Sequence, residues 1–242
     1  MSAQPRYKKL VVFGCSLTKD NYIDTWADLL SKKLNCELYN FAERGAGHTY
    51  LIQKLYTSFV NDSDTLCVIM WPSADRFDLY VNSAVPHLQS DIEFASWLDG
   101  QKAQFVDYNN QYNSSHGWYI NGAVPRGYKN KYYKYFYNQT MHVNSFWSTI
   151  VSAQNYLDNI GANYIMCNSY SVANPVQYHD DGVKDFNFAL YHKINFDKFV
   201  RNADCTGFID LVNDQQFKFF NSHHPNTDAH EWYLNNYLLP MI

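Results

Sequence analysis

The sequence predicts an α/β domain built on a doubly wound parallel sheet, and three observations lead to this prediction. Short apolar runs alternate along the chain with segments of helical periodicity. The connections between successive runs are too long for hairpins, which favours parallel pairing. The run at residues 65–70 is apolar almost throughout, as is typical of a strand covered on both faces. Ligands of such sheets bind beyond the carboxyl ends of the strands.

The predicted elements follow in order from these patterns. Runs of β-branched and apolar residues predict strands at residues 9–13, 37–40, 65–70, 163–167 and 207–210. Apolar residues at helical spacing predict helices at residues 24–34, 49–59, 143–160, 185–200 and 226–239. Gly161 stops the third helix, and Asn226 or Thr227 suits the N-cap of the last.

Residues 77–138 show no clean period and are predicted to form a Tyr-rich insertion after the third strand, with at least one helix. Long insertions in compact domains often shape binding sites. The chain has 21 Tyr, and aromatic residues make up 18% of it, more than a core requires. Sugars stack well on tyrosine surfaces, although Tyr-rich loops also occur without a ligand.

Length and composition set the class of protein. The 242 residues suit a single domain spanning 1–242. The net charge of -4 without a basic stripe argues against nucleic acid as a partner. Five cysteines without CxxC spacing indicate free thiols and a reducing compartment. The sequence shows no signal peptide or membrane-spanning run, so we expect a cytoplasmic or virion-associated protein with no membrane partner.

Two short motifs suggest chemistry. The first predicted strand ends at Gly14, and Ser16 follows in a turn that can lift its hydroxyl onto the edge of the sheet. Near the end of the chain, His224 stands before Pro225 and Asn226, where the last helix begins. Separately, each motif also fits a turn serine or a surface histidine. Together they predict a nucleophile and its general base.

These motifs resemble the SGNH/GDSL hydrolase family. The Asn- and Tyr-rich composition and the block from Gly14 to Thr18 also resemble phage-encoded members of that family. Gly14-Cys15-Ser16 corresponds to the Gly-Asp-Ser block of the family, and residues 221–226 correspond to its final Asp-x-x-His block. Residues 40–48 resemble the glycine block after the second strand, and residues 70–76 stand where the third block belongs. The resemblance implies a three-layer, flavodoxin-like sheet of about five strands and a serine esterase without cofactor or metal.

The resemblance also implies roles for individual residues. Ser16 would be the nucleophile and His224 the base, with the oxyanion bound by Ser16 N–H, by Gly45 or alternatively Gly47, and by Ser73 or the backbone of Trp71 in the third block. Substrate contacts are expected from Trp71 and His48. The expected substrate is a small-molecule or glycan ester, with acetylated carbohydrate favoured by the Tyr-rich insertion. An oligomer is compatible with the sequence.

The chain departs from the family where the catalytic acid belongs, because Asn221 stands there. An amide can orient an imidazole but brings no charge to stabilise the imidazolium. In a serine protease with a Ser-His-Asp triad, changing the Asp to Asn lowers turnover by about four orders of magnitude. Asp210, Asp214 or Asp228 could orient the histidine instead, as could a backbone carbonyl.

Three other interpretations compete with the esterase. A metal site could use the crowded ligands His223, His224, Asp228 and His230. Cys15 could act as a nucleophile in place of Ser16. The chain could also be a catalytically weak or inactive carbohydrate-binding or virion structural protein that kept the fold. The matched positions of Ser16 and His224 favour the enzyme.

Overall fold

The computed structural model describes residues 6–76, 78–82, 116–119, 134–135, 137–171, 188–200, 206–220 and 224–242. Its strands are β1 (Lys9–Phe13), β2 (Glu37–Asn40), β3 (Thr65–Trp71), β4 (Leu79–Asn82), β5 (His116–Tyr119) and β6 (Asn163–Asn168). Its α-helices are α1 (Trp26–Leu34), α2 (His48–Ser58), α3 (Gln139–Asn159), α4 (Phe188–Tyr191), α5 (Phe208–Asp214) and α6 (Thr227–Tyr233). Short 3₁₀ helices span Phe196–Lys198 and Leu239–Met241, and a π-helical segment spans Leu234–Leu238.

Four strands form one parallel sheet in the order β2-β1-β3-β6. In the central strand, Val11 pairs with Tyr39 of β2 and with Cys67 of β3. Successive side chains of a strand point to opposite faces, so β1, β3 and β6 contribute to two separate cores. Helices α2 and α3 pack on one core, and α1, α5 and α6 pack on the other. The predicted α/β class with a parallel sheet is confirmed.

Polar side chains mark where α1, α3 and α6 begin. Asp28 accepts a hydrogen bond from the backbone of Thr25, the residue before α1, at 2.8 Å. Asn138 accepts from the amide of Met141 at 2.9 Å and caps α3. Asn226 caps α6, as the sequence predicts, by accepting from Ala229 N–H at 3.1 Å. Each cap satisfies an amide that the first helical turn leaves without a partner.

The structure differs from the sequence prediction after β6. Residues 207–210, predicted as a fifth strand, are the N-cap and first turn of α5. Phe208, Ile209, Leu211 and Val212 are all buried, a helical pattern that a four-residue window could not distinguish from a strand. At the edge of β6, Phe199 instead forms a single parallel β-bridge with Met166.

The helix predicted over residues 185–200 is also wrong in its described part. Residues 188–200 contain only the short helix α4 and the 3₁₀ helix Phe196–Lys198. The chain then extends, and Val200 donates a backbone hydrogen bond to Met166 at 2.9 Å. This contact with β6 competes with helical hydrogen bonding at the same amide.

Part of the predicted insertion is described. Strands β4 and β5 pair antiparallel, with Leu79 opposite Tyr119 and Asn82 opposite His116. Of the helix predicted within residues 77–138, the described residues include only 134 and 135, which are helical, and most of the predicted insertion lies outside the described residues. In the described part of the chain, Cys15, Cys36, Cys67 and Cys167 are free thiols. No helix among the described residues has the length and apolar character needed to cross a membrane.

The start of α5 provides a test of packing. A Cβ on Gly207 would lie 2.1 Å from the backbone carbonyl carbon of Tyr170, and this neighbour cannot rotate away. We therefore predict that Gly207→Ala lowers the free energy of unfolding by about 2 kcal/mol. Gly161→Ala is the matched control, because its Cβ would meet open space and only its φ of +65° is unfavourable. That change should cost about 1 kcal/mol. Urea unfolding measures both, and an unchanged midpoint for Gly207→Ala would contradict the packing argument.

Candidate active site

Three loops leave the same edge of the sheet, because β1, β2 and β3 run parallel and their carboxyl ends coincide. The first loop (residues 14–25) follows β1, the second (residues 41–47) follows β2, and the third (residues 72–78) follows β3. Several contacts join them. Glu43 N–H donates to the carbonyl of Gly14 at 3.1 Å, and Lys19 forms an ion pair with Glu43 at 3.3 Å.

The first loop turns tightly at Ser16. Thr18 N–H donates to the carbonyl of Cys15 at 2.9 Å. A Cβ on Gly14 would lie 2.1 Å from Thr18 Oγ1, so only glycine fits at the start of this turn. The carbonyl of Thr18 accepts hydrogen bonds from Asn40 Nδ2 at 2.9 Å and from Thr25 Oγ1 at 3.0 Å. The turn is therefore held from two sides, and Ser16 at its tip is partly exposed.

His224 reaches this turn from the C-terminal part of the chain. Its Nε2 lies 3.0 Å from Ser16 Oγ, within hydrogen-bond distance. The backbone of His224 is fixed by a 2.8 Å hydrogen bond from Phe220 N–H and by the neighbouring bridge between Phe219 and Pro225. The two residues singled out in the sequence, 208 positions apart, are thus brought together.

Asp20 completes the arrangement on the other side of the imidazole. Its Oδ2 lies 3.1 Å from His224 Nδ1, and its side chain is only 3% exposed. The second carboxylate oxygen accepts from Tyr22 N–H at 3.0 Å and from Arg44 Nη2 at 3.2 Å. Both oxygens are therefore held in place, and one of them faces the histidine.

The contacts around His224 define one useful protonation pattern. With a proton on Nδ1, the ring donates to the carboxylate of Asp20, and Nε2 is left to accept the hydroxyl proton of Ser16. The carboxylate also offsets the positive charge that the imidazole gains when it takes that proton. Ser16, His224 and Asp20 thus form a line of hydrogen bonds suited to generating an alkoxide nucleophile.

Sequence reasoning missed Asp20, although it lies in the same loop only four residues after Ser16. Asn221, predicted at the acid position, lies outside the described residues. Among the acids considered instead, Asp210 accepts from Ser171 N–H at 2.7 Å and Asp228 accepts from Asn226 Nδ2 at 3.3 Å. The signal that could have identified Asp20 is its position in the loop after β1, which had already been assigned to the site because it carries Ser16.

The second loop contains a β-turn of the kind that glycine permits. Ala46 N–H donates to the carbonyl of Glu43 at 3.1 Å, and Gly45 at the third position of the turn has a φ of 77°. Gly47 N–H donates to Asp78 Oδ1 at 2.9 Å, so it is already occupied. Gly45 N–H has no acceptor in the part of the chain that the structure describes. Of the two glycines considered, Gly45 is the one with an available donor.

The third loop contains hydrogen bonds that the sequence does not predict. The hydroxyl of Ser73 donates to Asp75 in the same loop, so this hydrogen is not directed at Ser16. Asp78 of this loop accepts from both Gly47 N–H and Tyr50 N–H at 2.9 Å, which ties it to the start of α2. Arg76 Nη1 donates to the carbonyl of Ala46 at 3.1 Å. The third loop therefore fixes the second loop through two side chains.

The predicted substrate contacts Trp71 and His48 are buried. The indole of Trp71 is 0% exposed and donates to Met166 Sδ at 3.4 Å, so it offers no surface to a ligand. His48 is 3% exposed, with Nε2 lying 3.4 Å from Ser145 Oγ. Burial, with a smaller contribution from His142, lowers the pKa of His48 to about 4.

The histidines of the proposed metal site have other roles. His230 is buried, and its Nδ1 accepts a hydrogen bond from Trp26 N–H at 3.2 Å. Burial lowers the pKa of His230 to about 3, with a further contribution from His224. His223 lies outside the described residues. Among those that are described, no three His, Cys, Asp or Glu side chains are grouped to hold a metal ion.

Comparisons with known proteins found no matching family model and no matching curated protein. Among solved structures, a crystal structure of TesA is similar at a TM-score of 0.47 and 15% identity, covering 96% of this chain and 97% of that one. The psychrotrophic esterase EstA from Pseudoalteromonas sp., inhibited by monoethylphosphonate, gives 0.43 and 11%, covering 94% and 93%. Both scores lie below 0.5, so the chemistry of this chain must be inferred from its own residues.

The two buried histidines predict a stability that depends on pH. Their pKa values in the fold, about 4 and about 3, lie below the ordinary value of 6.5. Between these limits the unfolded chain takes up protons that the folded chain does not, so stability present above pH 6.5 is lost as the pH falls. Each histidine should contribute about 1.4 kcal/mol per pH unit to this loss.

Urea unfolding at a series of pH values between 6.5 and 4 measures the effect of these histidines. His230→Asn keeps an oxygen that can accept from Trp26 N–H but removes the titrating group. The variant should therefore lose the share of the slope that belongs to His230, whatever its absolute stability. A slope identical to that of the original protein would show that His230 does not resist protonation in the fold.

Proposed function

We propose that this protein is a serine ester hydrolase in which Ser16 is the nucleophile, His224 the general base and Asp20 the acid that supports it. The proposal rests on one observation, the continuous line of hydrogen bonds from Asp20 Oδ2 through the imidazole to Ser16 Oγ. A buried carboxylate, a partly exposed histidine and a partly exposed serine match the needs of acyl transfer.

The reaction proceeds in two halves. His224 Nε2 takes the hydroxyl proton while Ser16 Oγ forms a bond to the ester carbonyl carbon, giving a tetrahedral intermediate. As the intermediate collapses, the bond to the alcohol oxygen breaks, and the imidazolium returns its proton to that oxygen. Water then attacks the carbonyl carbon of the acyl-serine while His224 Nε2 takes a proton from it. The bond to Ser16 Oγ breaks, and the imidazolium returns the proton to that oxygen as the acid is released. Every proton transfer uses the same ring nitrogen.

The oxyanion of the intermediate needs donors beside Ser16. Backbone N–H groups of Ser16 and Gly45 are proposed for this role, as donors fixed in advance stabilise developing charge most effectively. Two observations support Gly45. Its amide has no acceptor among the described residues, and its loop is held against the first loop by the hydrogen bond from Glu43 to Gly14.

The substrate proposed is an acyl group, such as acetyl, carried by a carbohydrate. Tyr22 and Phe220 are 75% and 53% exposed, and their rings stack with centroids 6.3 Å apart. Both are tied by their amides to the reacting groups, Tyr22 to the carboxylate of Asp20 and Phe220 to the carbonyl of His224. Exposed aromatic rings next to a catalytic centre are suited to stacking on a sugar ring.

The role of Asp20 can be separated from that of Asn221 by mutation. Asp20→Asn should lower the turnover of a simple ester by about 10²- to 10⁴-fold, because the imidazolium loses the charge that stabilises it. Asn221→Asp should change turnover little, since a carboxylate already reaches His224. Rates are measured with ethyl acetate by titrating the acid released, and Ser16→Ala gives the background. A large gain from Asn221→Asp together with a harmless Asp20→Asn would reverse the assignment of the acid.

The aromatic pair gives a second test, directed at the substrate. Tyr22→Ala should raise KM for an acetylated oligosaccharide about tenfold, corresponding to about 1.4 kcal/mol of lost stacking. The rise with ethyl acetate should be much smaller, because this ester has no ring to stack. Tyr56→Ala is the matched control, as Tyr56 is an exposed tyrosine on α2 outside the site. Equal effects of Tyr22→Ala on both esters would argue against a sugar.

The alternative of an inactive carbohydrate-binding or virion protein makes a different prediction in the same assays. It requires that no Ser16-dependent hydrolysis occurs with acetylated sugars or simple esters. The complete set of Ser16, His224 and Asp20 supports the enzyme instead, since a binding protein has no need of a serine hydroxyl aligned with a base.

A further inference from the structure

Arg76 lies in the third loop and has no part in the reaction proposed for Ser16, His224 and Asp20. Its guanidinium is partly buried, and Nη1 donates to the carbonyl of Ala46 at 3.1 Å. It lies 5.9 Å from the centre of the Tyr170 ring. The ion pairs of the described residues do not include Arg76. The side chain also interacts with Cys15 and Tyr170. Together with the carbonyl of Ala46 these are three partners, whereas a guanidinium has five N–H groups.

Burying a cation is costly, and proteins usually offset such a charge with nearby negative or polar groups. Burial opposes the charge on Arg76, but Cys15, Tyr170 and Asp75 outweigh it and raise the pKa of the guanidinium above its ordinary value. The side chain is thus a permanent positive charge. An anionic oxygen that arrives during binding or reaction would accept a charge-assisted hydrogen bond from such a cation.

The neighbours of Arg76 locate this charge relative to the reacting atoms. Ala46 directly follows Gly45, the proposed oxyanion glycine, and Cys15 directly precedes Ser16. Arg76 contacts the second loop at Ala46 and interacts with Cys15 of the first loop. Ser73, the donor expected from the third loop, is occupied by Asp75. Among the described residues of the third loop, Arg76 is thus the side chain that offers a donor at the junction of the three loops, and this donor is a cation.

We propose that Arg76 is the third-loop donor that stabilises the oxyanion formed on attack by Ser16. This inference rests on the proposed function. A guanidinium contributes both a hydrogen bond and a full charge, so it stabilises the intermediate more than the neutral ester carbonyl that precedes it. A carboxylate carried by the substrate would offer the same anionic oxygen, and the two sources differ in which kinetic constant depends on Arg76.

Two esters distinguish these sources. Ethyl acetate is neutral, and monoethyl succinate carries a carboxylate. If Arg76 stabilises the oxyanion, Arg76→Gln lowers kcat about 10²- to 10³-fold with both esters and leaves KM nearly unchanged. Arg76→Lys, which keeps the charge, should recover part of the loss. A loss confined to KM for monoethyl succinate would overturn the proposal, as would a kcat for Arg76→Gln close to that of the original protein with ethyl acetate.

A binding measurement tests the same charge without turnover. Methylphosphonate is a tetrahedral anion that resembles the intermediate, and its dissociation constant can be measured by phosphorus NMR on the Ser16→Ala protein. Adding Arg76→Gln, or Arg76→Lys if the first variant does not fold, should weaken binding about tenfold or more. Lys8→Gln is the control for loss of one exposed positive charge.

Methylphosphonate binding that depends on Arg76 supports an anion site there even if no ester is hydrolysed, in which case only the proposed function fails. Binding that is unchanged by both Arg76 variants overturns the inference. If esters are hydrolysed normally by those variants, the proposed function stands and Arg76 is excluded from it.

Discussion

The parallel pairing of β1 with both of its neighbours is the constraint on which the site depends. Phe13 at the end of β1 pairs with Ile69, and Val12 pairs with Asn40 at the end of β2. The strand is almost completely buried, so a shift of one residue would move apolar side chains from one core to the other. This register places the ends of three strands at one edge, and the loops that carry the polar chemistry must begin there.

Hydrogen bonds to a partly buried carboxylate, more than surface charges, hold those loops to one another. Lys19 and Glu43 form an ion pair that is about one-third exposed, and such pairs contribute roughly 0–1 kcal/mol. The carboxylate of Asp78 accepts two amide hydrogen bonds from the start of α2, and hydrogen bonds to charged groups contribute about 1.5–3 kcal/mol each. By this measure the third loop, rather than the surface ion pair, determines the position of Gly45.

Much of this could be predicted from the sequence, because the informative patterns are local. Apolar runs predicted β1, β2, β3 and β6, and the motifs around Ser16 and His224 predicted two residues that the fold brings within 3.0 Å. The acid could not be found in the same way, since which carboxylate meets an imidazole depends on tertiary approach. The interaction joins residues 204 positions apart. Ser73 also has a local hydrogen bond that the sequence did not predict, because its hydroxyl donates to a carboxylate two residues ahead.

The position of Asp20 changes what the C-terminal part of the chain has to provide. The proposed nucleophile and the proposed acid both lie on the loop after β1, which is fixed through the carbonyl of Thr18, so their spacing is set within that loop. The C-terminal segment needs to supply only the imidazole of His224, which lies between Ser16 and Asp20. Because Asp20 is almost fully buried, its attraction to the imidazolium formed during attack is weakly screened by solvent. An amide at position 221 therefore does not remove the charge that the proposed reaction requires, since that charge comes from the same loop as the nucleophile.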